Sequence, residues 1–283
     1  MPNTNLFKAT IICFVIVLIY NFSFAQKSKT EETRVINDLI LKPINQLIVK
    51  GNVIIYLSQS TEPSIFYEGN KSKIKQLKTL ISNETLSITN KNYSNDKIKI
   101  YLTLSNIENL QTIGNVEIET PTNIILNKLN LTLSEESEAT LFVNSNDLKL
   151  EVHGNGELNL SGYIDTLRIK TFDDCEVYTK LKSKKVLCKT TNNSNIKLQG
   201  VIFDLYISSF KNSYADALNC EVGNSFIVSF DESDVKFTSI EAPEIYAFDK
   251  STIYYKSPFQ AFVMENSNKS FIKKEIIKTI TKK

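Results

Sequence analysis

A period of nineteen residues runs through the second half of this sequence and constrains the fold more than any other feature. From residue 110 the chain divides into aligned lines opening at Leu110, Leu129, Leu148, Leu167, Val186, Leu205, Phe226 and Ile245. Every step is nineteen residues except the twenty-one between Leu205 and Phe226, which places two extra residues in Asn219 to Asn224. Each line opens with an alternating run such as LNLTL at Leu129 or LKLEV at Leu148. A short polar turn follows, then a second alternating run such as ELNLS at Glu157. Apolar residues at every second place describe a strand with one buried and one solvated face. A fixed period lets equivalent residues stack from coil to coil, which is the pattern of a solenoid.

The columns read directly from this alignment. The opening position gives Leu129, Leu148, Leu167, Val186, Leu205 and Phe226, and two residues on come Leu131, Leu150, Ile169, Cys188, Ile207 and Val228. The turn position Ser137, Gly156, Cys175, Ser194, Ser213 is small throughout, as tight corners require. A leucine-rich repeat of similar period needs a helical stretch and a fixed Asn or Cys, and neither is present. The expected fold class is therefore all-β: a single-stranded parallel β-helix with coils of about 19 residues. Eight coils spaced at roughly 4.8 Å give a rod of about 40 Å.

The segment before the repeat reads as a β-rich N-terminal cap over residues 26–109. Gln46 to Gln59 forms two strands around Gly51-Asn52, a hairpin or corner signal. Lys71 to Ser82 has apolar residues at 74, 77, 80 and 81, which predicts one short helix. A cap is expected because the open end of a solenoid exposes strand edges. The solenoid is expected over 110–274, closing in one degenerate coil, with a basic tail at 275–283.

Residues 1–25 read as a signal peptide. Lys8 precedes the apolar run Ile11 to Tyr20, and Ser23 and Ala25 suit cleavage before Gln26. The run is shorter than the roughly 20 residues of a membrane span. Cleavage removes one charge, Lys8, and takes the formal charge from +2 to +1. No transmembrane span is expected after it. Such a balance exerts no general pull on nucleic acid, so no nucleic-acid partner is expected. The expected location is outside the cytoplasm: periplasm, outer cell surface or medium.

Reactive groups are sparse. His153 is the sole imidazole and sits beside a turn with no obvious Ser or Cys partner, which favours a plain surface or corner role over catalysis. Acidic residues gather at alternate corners (Glu135, Glu136, Glu138; Asp173, Asp174, Glu176; Asp231, Glu232, Asp234) and read as solvated turns. Coils two apart lie roughly 10 Å from each other, too far to share one ion. Cys175 and Cys188 occupy packing columns, and Cys220 is the expected free thiol. No catalytic residue, cofactor or metal site is predicted. Tyr206, Tyr214, Tyr246 and Tyr254 are the candidates for an exposed aromatic strip able to stack sugars or contact protein.

Short turns with the two corner glycines of HGNGE (His153 to Glu157), the GNV at Gly51, and the closing Tyr254, Tyr255 and Pro258 together resemble the head domain of auto-transporter adhesins, the GIN domain. The likeness covers about residues 40–274. Elsewhere Asn, Asp, Ser or Cys stands where the family places corner glycines. The resemblance implies a β-helical fold, export from a Bacteroidota-type cell, and adhesion; it transfers no catalytic residue. The expected function is a non-catalytic envelope or secreted binding module with a glycan or an envelope protein as partner. The alternative is a β-helical polysaccharide lyase or hydrolase, which needs a groove lined by two carboxylates.

Overall fold

A computed structural model of the chain describes residues 34–40, 43–92, 96–267 and 269–275. The expected signal peptide and most of the basic tail lie outside the described residues. The chain forms a parallel β-solenoid of about nine turns with coils of about 19 residues, as the periodicity requires. Its middle is built from β10 (Ile124–Ser134), β11 (Glu138–Val152), β12 (Glu157–Thr171), β13 (Glu176–Thr190), β14 (Asn195–Ser209) and β15 (Tyr214–Ser229). Each of the last five spans a whole coil as two legs joined at a bend. Parallel strands need a long crossover to return to the same edge, and here the rest of each coil serves as that crossover.

Burial alternates along each leg. In β11, Leu148, Leu150 and Val152 of one leg and Ala139, Leu141 and Val143 of the other are all buried. The ladders stack in register: Leu131 on Leu150, Ile169, Cys188, Ile207, Ile227 and Ile245. These apolar side chains form one continuous core.

Three expectations about register are corrected. Leu110 pairs with Leu131 and with Leu47, not with Leu129. The insertion in β15 is one residue, and it falls between Asp216 and Asn219, where the ladder shifts against Lys197 and Gln199. The steps are therefore twenty from Ile207 to Ile227 and eighteen from Ile227 to Ile245. As a result Ser225 and Ile227 point inward, while Phe226 and Val228 are only partly buried.

The parallel stack continues N-terminal of residue 110. β2 (Gln46–Gly51) and β3 (Val53–Gln59) lie between two neighbours. On one side are β8 (Asn109–Ile113) and β9 (Val116–Glu119), on the other β6 (Thr85–Asn90) and β7 (Ile98–Leu104). The second coil in sequence is thus the outermost in space. Gly51-Asn52 makes a corner between β2 and β3 and not a hairpin. Gly51 has φ +103°, and a Cβ there would sit 1.7 Å from the Asn90 carbonyl oxygen, so no side chain fits.

Antiparallel strands cover the outermost coil. β4 (Ser64–Glu68) pairs with β7 and with β1 (Arg34–Ile40), and β5 (Lys78–Ser82) pairs with β6. The expected helix is present as one turn, α1 (Lys71–Ile74), capped by the Asn70 side chain on Ser72 N–H. The remainder of that stretch is β5. Asn83 and Glu84 both have positive φ, which makes a two-residue hairpin turn into β6 and overrides the helical spacing. At the other end β16 (Asp234–Thr238), β17 (Glu244–Ala247) and β18 (Thr252–Lys256) carry the last coil, β19 (Phe262–Asn266) and β20 (Phe271–Glu275).

The corners share one device. The small residue after each turn is buried, and where it is serine its hydroxyl bonds the backbone or a neighbouring hydroxyl. Ser194 Oγ lies 2.7 Å from Thr171 Oγ1, Ser213 Oγ 2.9 Å from Thr190 Oγ1, and Ser233 Oγ donates to the Ser209 carbonyl at 3.0 Å. Cys175 takes the same place, its thiol 3.6 Å from the Val152 carbonyl.

Candidate binding surfaces

Because inward and outward residues alternate, the outward residue between Leu205 and Ile207 is Tyr206, and that between Ser225 and Ile227 is Phe226. The Phe226 ring lies 6.1 Å from Tyr206 and 5.4 Å from Tyr246. These three form a continuous strip on the leg that precedes the corner. Beside it the corner residues Phe210, Phe230 and Phe248 stack with centroids 5.2 and 4.3 Å apart. Lys185 and Lys189 close the strip's N-terminal side, 4.9 Å from the Tyr206 ring and 5.4 Å from the Phe210 ring. At these distances the ammonium groups interact with the ring faces.

The four tyrosines singled out from sequence fall into two pairs. Tyr206 and Tyr246 belong to the strip. Tyr214 and Tyr254 lie on the following leg, beyond the corner at Phe210–Ser213, and share Lys236, which is 5.1 and 5.7 Å from their rings. Tyr214 donates to Asp216 at 3.1 Å. Burial first, then the Asp216 carboxylate, pushes its phenol above the ordinary value. The strip's central member, Phe226, was assigned to the core by the nineteen-residue alignment. The signal that finds it is the corner tetrad Phe-x-x-Ser at Phe210–Ser213, Phe230–Ser233 and Phe248–Ser251. Aligned on those corners, the steps become twenty and eighteen.

A second feature occupies the other leg. Two adjacent outward columns, Thr140–Asn159–Tyr178–Lys197 and Phe142–Ser161–Lys180–Gln199, run across four coils. The short side chains of Asn159 and Ser161 leave a groove of about 260 Å³ among them. Phe142, 44% exposed, stands at one end of it. Tyr178 donates to Glu176, and that bond raises its phenol to about 12.

The remaining candidates make contacts within the solenoid. His153 stacks on Phe172 at 4.5 Å. Some of the acidic corner residues meet neutral or basic partners on the next coil, as Asn193 donates to Asp174 at 3.2 Å and Lys250 pairs with Glu232, whereas Glu138 and Glu176 flank Glu157 in one ladder. Among the described residues no group of three or more His, Cys, Asp and Glu could hold a metal ion. Cys175, Cys188 and Cys220 are all buried and unbridged, and burial raises Cys175 to about 11 and Cys220 to about 12. No helix among the described residues is long and apolar enough to cross a membrane.

Solved structures share this solenoid. A "putative adhesin" from Parabacteroides merdae superposes with a TM-score of 0.62 at 13% identity, covering 88% of this chain and 96% of its own. A second from Parabacteroides distasonis gives 0.64 at 14% identity, over 87% and 94%. A "putative lipid binding protein" from the same species gives 0.60 at 11% identity, over 88% and 98%. At such identities the likeness is one of fold. Among curated proteins no sequence matches the chain. Residues 44–174 match the family model described as "Putative auto-transporter adhesin, head GIN domain".

Proposed function

We propose that the protein is an exported, non-catalytic binding module of the cell envelope that holds a glycan along the aromatic face of its solenoid. One observation carries this reading: Tyr206, Phe226 and Tyr246 make an unbroken, part-exposed aromatic strip on a sheet whose registry is fixed by the core. Pyranose rings present C–H faces that pack on aromatic rings, and a rigid platform loses little entropy when it binds. Lys185 and Lys189 at the strip's edge supply donors for ring hydroxyls. The family match and the scarcity of reactive groups support binding without turnover.

A glycan array, run beside a polysaccharide-degradation assay on the same protein, tests this. Selective retention of a glycan without depolymerisation is expected. Tyr206→Ala with Phe226→Ala is expected to lower affinity about tenfold, the equivalent of about 1.4 kcal/mol. Depolymerisation, or binding indifferent to the double substitution, overturns the proposal.

A further inference from the structure

The geometry points to a second ligand site, independent of the aromatic face: the groove between Phe142 and Lys180 takes a carboxylate-bearing sugar, a uronic acid residue. Asn159 and Ser161 form its floor, and the next coil on one side raises Phe142 while the next on the other raises Tyr178 and Lys180. Coils in a parallel stack repeat at about 4.8 Å, so these walls stand about 10 Å apart at the backbone. That spacing admits one pyranose in contact with the Phe142 ring.

Charge orients the guest. Among the described residues neither Lys180 nor Lys197 pairs with a carboxylate, although both line the groove. Lys197 lies 5.2 Å from the Tyr178 ring. The glutamates of the adjoining column are held on the far side. Asn159 donates to Glu157 at 3.0 Å, and Tyr178 donates to Glu176. The groove is therefore acidic along its Glu157–Glu176 margin and basic at the end away from Phe142, where Lys180 and Lys197 stand on successive coils. A sugar carboxylate turns to Lys180 and Lys197, its hydroxyls turn to Asn159, Ser161 and Gln199, and its apolar face meets Phe142.

Titration of the full chain by amide NMR with sodium glucuronate, glucose and sodium acetate tests the site. Glucuronate is expected to shift amides at 159–161 and 178–180, with glucose weaker by about tenfold. Lys180→Gln with Lys197→Gln should weaken glucuronate by about tenfold and leave glucose unchanged, while the Lys→Arg pair stays within about twofold of the parent. Phe142→Ala should weaken both sugars. Equal responses to glucuronate and glucose, an equal response to acetate, or indifference to the Lys→Gln pair overturns the proposal. Tyr206→Ala with Phe226→Ala should leave this titration unaltered, so failure of one site is distinguishable from failure of the other.

Discussion

At the bend between the two legs, single residues settle how closely coils approach. The column runs Val143, Gly162, Leu181, Gly200 and Cys220, and the column two residues on runs Ser145, Ile164, Ser183, Ile202 and Val222. Through the middle coils large and small exchange places: where Leu181 fills the first column Ser183 sits in the second, and where Gly200 stands in the first Ile202 fills the second. Total volume is conserved while the backbone takes two alternating paths. Gly200 has φ +116°, and a Cβ would lie 1.9 Å from the Leu181 carbonyl oxygen. Gly200→Ala is therefore expected to cost at least about 3 kcal/mol, as the strain and the clash both act. A urea midpoint within error of the parent would refute that assignment. This alternation is present in the sequence as a thirty-eight-residue super-period, but the nineteen-residue columns average it away.

Between residue and molecule lies the strand, and here the sequence was legible in kind and wrong in phase at one place. Apolar alternation identified the legs of the coils because a half-buried strand has a period of two. Small residues identified the corners because a buried turn has no room for more. The failure came at β15, where Phe226 and Val228 look as apolar as Ile227. Hydrophobicity alone cannot decide which set faces inward, and a slip of one residue turns every side chain over. The polar Ser225 and Ser229 are buried, with Ser225 bonded to Ser239 at 3.0 Å and Ser229 to Ser233 at 2.8 Å. Propensity counts serine as outward, so the true phase was disguised. The same slip hides only the strip's centre, since Phe226 falls in an interior column while Tyr206 and Tyr246 read as outward, and the groove is not legible in any single line because its lining comes from several coils. The phase is testable. Ile227→Ser should destabilise by about 3 kcal/mol, since it buries a polar group and leaves a cavity, whereas Phe226→Ser should cost under about 1 kcal/mol. Equal losses in thermal or urea unfolding would reverse the assignment.

Seen whole, the solenoid has two unlike ends. The first is sealed by β1, β4 and β5, whose antiparallel pairing uses the free edges of β6 and β7. At the second, among the described residues β19 and β20 each have one parallel partner, and Phe262, Val263, Met264 and Phe271 are exposed. Lone edges of this kind recruit other strands unless something opposes it. Here the opposition is in the ladders themselves: Asn266 stands on Ala247 and Lys274 on Tyr255, so polar side chains occupy positions that are apolar in the coil beneath. A second rod stacking on this end would have to desolvate Lys274. Lys274→Val is accordingly expected to yield end-to-end dimers or larger species by light scattering at concentrations where the parent shows none. An unchanged mass distribution would show that the lysine is not the barrier.

The exchanged order of the first two coils has a consequence for how the molecule is assembled. Coil Gln46–Gln59 lies between coil Thr85–Leu104 and the strands that begin at Asn109. A chain laying down coils strictly in sequence would therefore add its second on one side of its first and its third on the opposite side. Once Thr85–Leu104 is docked and its outer edge is taken by β4 and β5, a single edge remains, and every later coil extends it in one direction. The reversal converts a stack that could lengthen from either end into a seed with one growing face.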